Sequence, residues 1–316
     1  NILIELFMLR GKKIWVAGST GMVGSAVVRE LSKEECLIIA PNRKELDLLD
    51  QLSVNQFLKI TKPDIIVIAA ATVGGILANS TRPAEFIYEN ITIAGNIIHG
   101  AHINEINRLL FLGSACIYPR EAEQPMTEEA LLQGRLEPTN EWYAIAKISG
   151  IKMCQAYKTQ YGRDYISAQP NNLYGTHDNF DVNSGHVIPA LMQRAHLAKV
   201  NCEDELGVWG TGSVLREFLH VDDCARALIH LLKFYNDDIP INIGTGEEIT
   251  IKELAIKVCD IVGFKGKLIF DDSKPDGSPR KLLNSDRIKN LGWKSSIKLE
   301  EGLKETYEWY KINTMH

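Results

Sequence analysis

The chain has 316 residues, of which 45% are hydrophobic and 24% charged, a composition typical of a soluble globular protein with one large or two closely joined domains. Its 35 basic and 40 acidic side chains leave a net charge of −5 without any basic block, so we expect no nucleic-acid partner. Six scattered cysteines form no metal-binding or disulfide pattern, which predicts no metal site and favours a reducing, cytoplasmic compartment.

The first residues are apolar but give no membrane signal. The run 2–9 contains Glu5 and is far shorter than the ~20 residues that a membrane-spanning helix needs. It also lacks the basic start and small-residue cleavage site of a signal peptide. We therefore interpret residues 1–11 as an N-terminal extension ahead of the fold, and we predict no membrane association.

A glycine-rich turn follows the first predicted strand. Residues 13–17 form a short apolar run, and a helical pattern begins soon after it. Glycines at Gly-x-x-Gly-x-x-Gly spacing let the backbone approach a pyrophosphate, which then binds free N–H groups at the helix N-terminus. The predicted cofactor contacts in this turn are Gly18, Ser19, Thr20, Gly21, Met22, Val23 and Gly24.

The tip of the second predicted strand, 37–40, favours NADP over NAD. No acid stands there to bind the adenosine ribose, whereas Arg43 can grip a 2′-phosphate through two hydrogen bonds. The alternative is that Arg43 is merely solvated. Asp47 and Asp50 are candidates for the adenine side, and Leu46 and Leu48 complete the cofactor contacts expected here.

Strand-like and helix-like segments alternate through the first half of the chain. The predicted elements after the second strand are a buried strand at 63–71, a helix at 86–104, a strand at 108–113, a helix from about 143 to 161 and a strand at 165–169. This alternation predicts an α/β fold with a doubly wound parallel Rossmann sheet and right-handed crossovers. Functional residues should lie beyond the carboxyl ends of the strands, where Ser114, Cys116 and Asn172 fall.

Loops become more frequent after about residue 175. We predict an NADP-binding domain at 12–175 and a smaller α/β substrate domain at 176–316, with helices near 251–262 and 300–312. The two are expected to be partly interleaved, and the segment near 215–250 is a candidate for returning to the first domain.

Tyr143 and Lys147 lie four residues apart on a predicted helix, so their side chains share one face. The ammonium is expected to lower the pKa of the phenol, which suits a group that exchanges a proton with a sugar oxygen. A solvated helix face is the alternative when this spacing is considered alone.

Together with 216–223, these residues resemble the extended short-chain dehydrogenases/reductases that act on nucleotide sugars. The stretches 70–76, 113–119, 137–141 and 179–191 are similar to the branch that epimerises and reduces GDP-4-keto sugars. The resemblance covers nearly the whole chain from about residue 12. It implies conversion of GDP-4-keto-6-deoxy-D-mannose to GDP-L-fucose, by 3,5-epimerisation and NADPH-dependent reduction at C4.

The resemblance also implies roles for individual residues. Tyr143 and Lys147 would serve proton transfer at C4, with Ser114 hydrogen-bonded to the C4 oxygen. Cys116 resembles the base of the epimerisations, which requires a lowered thiol pKa, and His186 resembles their acid. Taken singly, the cysteine and the histidine could each be structural.

Binding residues are implied in the same way. For the nucleotide sugar they are Asn172, Arg194, Trp209, Arg216 and Lys281. Further cofactor contacts are Ala70, Leu112, Gly113, Lys147, Pro170, Asn171, Asn172, Leu173 and His186. Ser19-Thr20 stands where a basic residue is frequent, Ala115 where serine is common, and Asn171 where threonine is frequent. A homodimer through helices 86–104 and 143–161 is implied, although their apolar stripes could equally be domain core.

Two other functions compete with this interpretation. A nucleotide-sugar 4-epimerase or 4,6-dehydratase would retain NAD and favour an acid where Arg43 stands, and it has no obvious use for Cys116 with His186. A non-catalytic NADP-binding regulator would be permitted by the fold, but such proteins tend to lose the tyrosine–lysine pair.

Overall fold

The computed structural model describes residues 8–181, 184–274 and 277–314. Residues 1–7, most of the predicted extension, lie outside this part of the chain. The strands are β1 Lys13–Ala17, β2 Leu37–Ile39, β3 Ile65–Ile68, β4 Arg108–Leu112, β5 Asp164–Pro170, β6 Asn172–Tyr174, β7 Glu205–Trp209, β8 Leu215–Arg216, β9 Phe218–His220, β10 Ile241–Ile243, β11 Ile249–Thr250, β12 Lys267–Asp271 and β13 Arg280–Lys281. The helices are α1 Met22–Leu31, α2 Gln51–Thr61, α3 Ile76–Thr81, α4 Pro83–Ile103, α5 Glu141–Tyr161, α6 Val187–Val200, α7 Val221–Phe234, α8 Ile251–Val262, α9 Asp286–Asn290 and α10 Leu299–Asn313.

The main sheet is parallel and has the strand order β10-β5-β4-β3-β1-β2. Its central strands are apolar on both faces because helices cover both. Along β3, Ile65 and Val67 pack against the layer that contains α1 and α7, whereas Ile66 and Ile68 pack against α2, α4 and α5. This arrangement is typical of a parallel sheet made by strand–helix–strand crossovers. The predicted doubly wound α/β fold is confirmed.

The sixth strand of this sheet comes late in the chain. β10 pairs in parallel with β5, with Ile241 opposite Ala168. The preceding helix, α7, buries Leu228 and Leu232 in the same core as Val27 of α1. The chain therefore leaves the main sheet after β5 and returns to it about seventy residues later.

A second core lies between α6, α8 and α10 and the paired strands β7 and β12. Leu191, Leu254 and Leu303 are buried there. Helix α8 begins at a capping box, in which Thr250 and Glu253 satisfy each other's backbone N–H groups. Local sequence thus sets where this helix begins.

Several boundaries differ from the predicted ones. The strand predicted at 63–71 ends at Ile68, because residues 69–75 leave the sheet as a loop that reaches α3. The helix predicted at 86–104 begins at Pro83, whose missing N–H costs nothing in a first helical turn. Within the described ranges, no helix is long and apolar enough to cross a bilayer.

Candidate active site

The glycine-rich turn has a conformation that leaves no room for side chains at two of its glycines. Gly18 has φ +84°, and a Cβ there would stand 2.6 Å from backbone atoms of Ala70. A Cβ on Gly24 would stand 1.9 Å from the carbonyl oxygen of Gly18. Gly21 is the N-cap of α1 and offers no side-chain cap, so the first N–H groups of the helix are left for another acceptor.

A cavity of about 240 Å³ adjoins this turn at the carboxyl ends of β1, β2 and β3. The predicted cofactor residues that line it are Gly18, Thr20, Gly21, Arg43, Leu46, Asp47, Leu48 and Ala70. A narrow cavity beside a glycine turn and a helix N-terminus fits the pyrophosphate of a dinucleotide. A larger groove, of about 790 Å³, runs beside α8 and the start of α10, and none of the predicted site residues lines it.

Four residues near the cavity have structural roles. The hydroxyl of Ser19 donates to the carbonyl oxygen of Ala40 at 3.2 Å, so it faces the chain and not the cavity. Met22 and Val23 pack on the core beneath the sheet. Asp50, a candidate for the adenine side, instead caps α2 by accepting from the N–H of Leu52 at 3.0 Å.

Tyr143 and Lys147 share one face of α5, as predicted. Lys147 is buried, and its Nζ donates to the carbonyl oxygen of Leu112 at 2.7 Å. The same Nζ lies 5.6 Å from the ring centre of Tyr143. Phe86 of α4 meets the Tyr143 ring edge to face, with 6.4 Å between the ring centres. The pair is therefore held between α4 and the end of β4.

The expected lowering of the Tyr143 pKa is wrong in this structure. Burial raises the pKa of the phenol, and the nearby Cys116 adds to the rise. Burial also lowers the pKa of Lys147 to about 8. Desolvation disfavours both charged forms and outweighs the attraction that the spacing suggests. A phenol that stays protonated suits a proton donor.

Cys116 lies in a 3₁₀ turn, Ala115–Ile117, directly after β4. The Ser114 hydroxyl accepts a hydrogen bond from its N–H at 3.4 Å. The expected lowered thiol pKa is also wrong, because burial raises the pKa of Cys116. The Ser114 hydrogen bond and the charges of Lys281 and Lys147 act against that rise. The turn thus joins residues from β4, α5 and β13 in one site.

His186 is the N-cap of α6 and follows a loop that contacts the loop between β3 and α3. The N–H of Gly75 donates to the carbonyl oxygen of Ser184 at 2.9 Å. A Cβ on Gly75 would stand 2.9 Å from the Gly185 oxygen, so the two loops touch through backbone alone. The ring remains accessible to solvent, but the surrounding protein lowers the pKa of His186 and favours its neutral form.

Arg216 and Lys281 are neighbours on adjacent parallel strands, β8 and β13. Burial lowers the pKa of Lys281, the charge of Arg216 lowers it further, and Glu137 opposes this. Two adjacent cations that are both partly buried favour an anionic ligand. Sequence analysis did not single out Glu137, which is buried and accepts from Ser278 at 3.2 Å.

The remaining predicted substrate residues are spread over the second lobe. Arg194 of α6 donates to the carbonyl oxygen of Gly207. Trp209 ends β7, is 59% exposed and has the Nζ of Lys274 5.7 Å from its ring centre. The structure therefore presents Trp209 as an open aromatic surface, whereas Arg194 is engaged by backbone.

The segment at the end of β5 points partly away from the cavity. The amide of Asn171 donates to Glu217, and its oxygen accepts from the N–H of Asn172 at 3.0 Å. Pro170 ends β5, and Leu173 packs against the core in β6. Gly113 continues β4 and leaves room for Gln169, whose Oε1 lies 1.6 Å from where a Cβ would stand.

Glu217 is a further site residue that sequence analysis did not single out. It is fully buried and accepts hydrogen bonds from distant parts of the chain. The signal was a single acid at the head of the apolar run Phe218-Leu219, beside Arg216. Among the described residues, no group of three or more His, Cys, Asp or Glu side chains could hold a metal ion.

The chain is similar to known proteins over nearly its whole length. A family model described as the NAD dependent epimerase/dehydratase family matches residues 14–244. The GDP-L-fucose synthase of Sinorhizobium fredii is 55% identical over 310 residues, which cover 98% of this chain and 99% of that protein.

Solved structures are similar over nearly the full length. A GDP-6-OMe-4-keto-L-xylo-heptose reductase from C. jejuni has a TM-score of 0.91 and 38% identity, covering 96% of this chain and 99% of that one. A GDP-L-fucose synthetase from Naegleria fowleri bound to NADP has a TM-score of 0.89 and 29% identity, covering 98% and 97%. The expected resemblance to extended short-chain dehydrogenases/reductases is confirmed. The chain belongs to the NAD dependent epimerase/dehydratase family.

Proposed function

We propose that the chain converts GDP-4-keto-6-deoxy-D-mannose to GDP-L-fucose by epimerisation at C3 and C5 and NADPH-dependent reduction at C4. The observation that carries this proposal is the meeting of Cys116, Tyr143 and Lys147 at the carboxyl end of β4. The 55% identity to a GDP-L-fucose synthase supports the substrate and the product.

NADP(H) fits the cavity beside the glycine turn. The N-terminus of α1 would receive its pyrophosphate, and Arg43, exposed on the cavity wall, would bind the 2′-phosphate. Asp47 and Ala70 would line the adenosine half. When bound, the nicotinamide supplies the reducing equivalents for C4. The chain's contribution is to hold and orient it.

Tyr143 donates the proton that the C4 oxygen takes up during reduction. Burial keeps this phenol protonated until it is needed. Lys147 is anchored to the Leu112 carbonyl, which leaves its other N–H groups for the cofactor ribose and the phenol. Ser114, at the head of the same turn as Cys116, hydrogen-bonds the C4 oxygen.

The epimerisations use the acidity that the 4-keto group confers on the C3 and C5 protons. The enolate that forms spreads its charge onto the ketone oxygen, near Ser114 and Tyr143. Cys116 acts in its thiolate form and removes a proton from one face, and His186 acts in its protonated form and returns one from the other; proton exchange with solvent then restores both residues. The charges of Lys147 and Lys281 favour the thiolate against the effect of burial.

Arg216 and Lys281 bind the diphosphate of the substrate. Their adjacent positive charges repel each other until an anion lies between them. Trp209 offers an aromatic surface to the base or sugar, while Arg194 and Asn172 complete the substrate contacts.

The test is to mix the protein with GDP-4-keto-6-deoxy-D-mannose and follow NADPH absorbance, with NADH as the comparison cofactor. Wild type should oxidise NADPH faster than NADH and release GDP-L-fucose. Cys116→Ser should yield mostly the unepimerised reduction product. Tyr143→Phe should lose at least about 100-fold in rate with NADPH binding unchanged.

Two outcomes would contradict the proposal. If wild type does not oxidise NADPH, the proposed substrate is wrong. Assays of UDP- and dTDP-sugars with NAD would then test for a 4-epimerase or 4,6-dehydratase. A wild type that reduces C4 without epimerising would be a reductase, like the C. jejuni protein to which the fold is similar.

We also propose a homodimer through α4 and α5. Tyr88 and Ile91 of α4 and Trp142 of α5 are exposed, and a Cβ on Gly95 would meet nothing within 4 Å. An apolar helix pair with a small residue at its centre suits close packing against a second copy. Light scattering should give about twice the chain mass of 35.4 kDa, and a monomer would contradict this.

We assign cofactor binding and substrate binding to different parts of the chain, according to the core in which each part packs. We propose that residues 12–175, with the returning segment near 215–250, bind the cofactor, and that the rest of 176–316 binds the substrate. A cytoplasmic location is favoured because the six cysteines are free thiols. Recovery of active protein only from the soluble cytoplasmic fraction would support it.

A further inference from the structure

Glu217 gathers hydrogen-bond donors from three separate segments. It lies between β8 and β9 and is 0% exposed. Its Oε1 accepts from the N–H of Gly246 at 2.7 Å, and the Thr245 hydroxyl lies 3.4 Å away. Its Oε2 accepts from the N–H of Leu283 at 3.1 Å and from the Asn171 amide. Every one of these contacts requires the carboxylate to accept.

The site is shaped to hold this carboxylate. A Cβ on Gly244 would stand 2.5 Å from Oε1 of Glu217, so a larger residue there would displace the acid. Burial raises the pKa of Glu217, whereas the bonds from Gly246 and Asn171 oppose the rise. A buried acid is tolerated only where such donors surround it.

The segments that Glu217 holds carry the two cations of the proposed diphosphate site. Arg216 precedes Glu217 in the chain, and Lys281 lies two residues before Leu283. The amide of Asn171 also donates to the carbonyl oxygen of Lys281 at 3.3 Å. β8 and β13 pair over only two residues each, a ladder too short to set its own geometry.

The network continues to Asn172, a proposed substrate contact. Its amide donates to the backbone oxygen of Glu217 at 3.0 Å and to the side-chain oxygen of Asn171 at 3.1 Å. Glu217 therefore links three proposed substrate residues, Arg216 and Lys281 through the segments that its carboxylate holds and Asn172 through its backbone oxygen.

We propose that Glu217 is a positioning residue that sets Arg216 and Lys281 for the diphosphate of the nucleotide sugar. The inference rests on the proposed function for the identity of that ligand. Glu217 lies behind the two cations and acts through them. Losing its geometry should weaken the diphosphate site and spare the cofactor cavity, which lies across the sheet at β1.

The test variant is Glu217→Gln, which keeps the size of the side chain. Its amide nitrogen must face donors on one side, because both oxygens of Glu217 accept. We expect the Kd for GDP, measured by calorimetry, and the KM for the GDP-sugar to rise about tenfold. The Kd for NADPH and kcat at saturating substrate should change by less than about threefold.

Asp223→Asn is the matched control. Asp223 is also 0% exposed and accepts from the backbone N–H of Ile297 at 2.8 Å and from Arg226 at 2.6 Å. It should lower the melting temperature without moving the GDP affinity. If Glu217→Gln does not fold, Gly244→Ala, whose Cβ would stand 2.5 Å from Oε1 of Glu217, displaces the carboxylate instead and should raise the Kd for GDP about threefold.

Two results would overturn the inference. One is a folded Glu217→Gln protein with wild-type affinity for GDP. The other is a parallel loss of GDP binding, NADPH binding and kcat in both Glu217→Gln and Asp223→Asn, which would make Glu217 a general support of the fold. If wild type binds GDP but does not turn over the keto sugar, only the proposed reaction is contradicted. The GDP affinities of the variants would still test the role of Glu217. A wild type that does not bind GDP would overturn both.

Discussion

The two halves of the cleft are built by different means. The cofactor half is formed by consecutive residues after β1, where Gly18 and Gly24 allow backbone to approach backbone. The substrate half is formed by β6, β8 and β13, which come from distant parts of the chain and meet at Glu217. Steric exclusion shapes the first half and a buried polar network shapes the second. A substitution in one half should therefore impair the binding of that half's ligand and leave the other half's ligand binding unchanged.

The reacting residues lie where the halves meet. Tyr143 and Lys147 come from α5, while Cys116 comes from the turn after β4. Lys281 reaches this junction from the substrate half, as its electrostatic effect on Cys116 indicates. The junction is buried, so its pKa values are governed by desolvation more than by charge pairing.

We expect the largest loss of affinity from a substitution that disrupts the cofactor half alone. Gly24→Ala would place a Cβ 1.9 Å from the Gly18 oxygen. Because alanine favours a helix, any loss would come from this clash. We expect the Kd for NADPH, measured by fluorescence, to rise by about 100-fold with the Kd for GDP unchanged. An unchanged Kd for NADPH in a folded Gly24→Ala protein would contradict the steric account.

A smaller effect is expected from the ionisation of Lys147 at the junction between the two halves. The Lys147 pKa of about 8 means that its ammonium is present below this pH and is lost above it. Burial raises the pKa of Tyr143, so this phenol should stay protonated through the same range. We expect kcat/KM to fall about tenfold per pH unit above this value. The Lys147→Met variant should have a low kcat/KM that does not fall further above this pH. A wild-type profile that stays flat through pH 8 would count against the assignment.

The smallest expected effect concerns the loop that leads to His186. Burial raises the pKa of Asp178 to about 7, and its Oδ2 is buried without a hydrogen-bond partner. The folded chain therefore holds a proton that the unfolded chain releases near pH 4, so this group's penalty on stability grows as pH rises from about 4 to 7. Asp178→Asn should raise the melting temperature by about 2–4 °C above pH 7.

The control for Asp178→Asn is the same measurement in acid. Near pH 5 wild type carries a neutral carboxyl, so the difference in melting temperature should shrink. A difference that does not vary with pH would show that the carboxyl does not titrate as inferred.

Much of the cofactor half could be predicted from the sequence because its signals are local. The apolar run of β1, the glycine spacing and the tip at Arg43 lie within thirty residues, and the structure lines one cavity with them. Asp50 was misassigned because a helix cap and a nucleotide contact look alike in sequence. The roles proposed for individual residues remain predictions that the experiments above test.

The sequence alone was enough to predict the alternation of strands and helices in the first half of the chain, the parallel sheet and the shared face of Tyr143 and Lys147, because these follow from periodicity and from the steric needs of neighbouring residues. Only the tertiary structure decided that burial raises the pKa values of Tyr143 and Cys116, since desolvation depends on which segments cover a side chain. It also decided that Glu217 joins Asn171 to Leu283, because the donors that a buried acid needs lie 46 and 66 residues away along the chain.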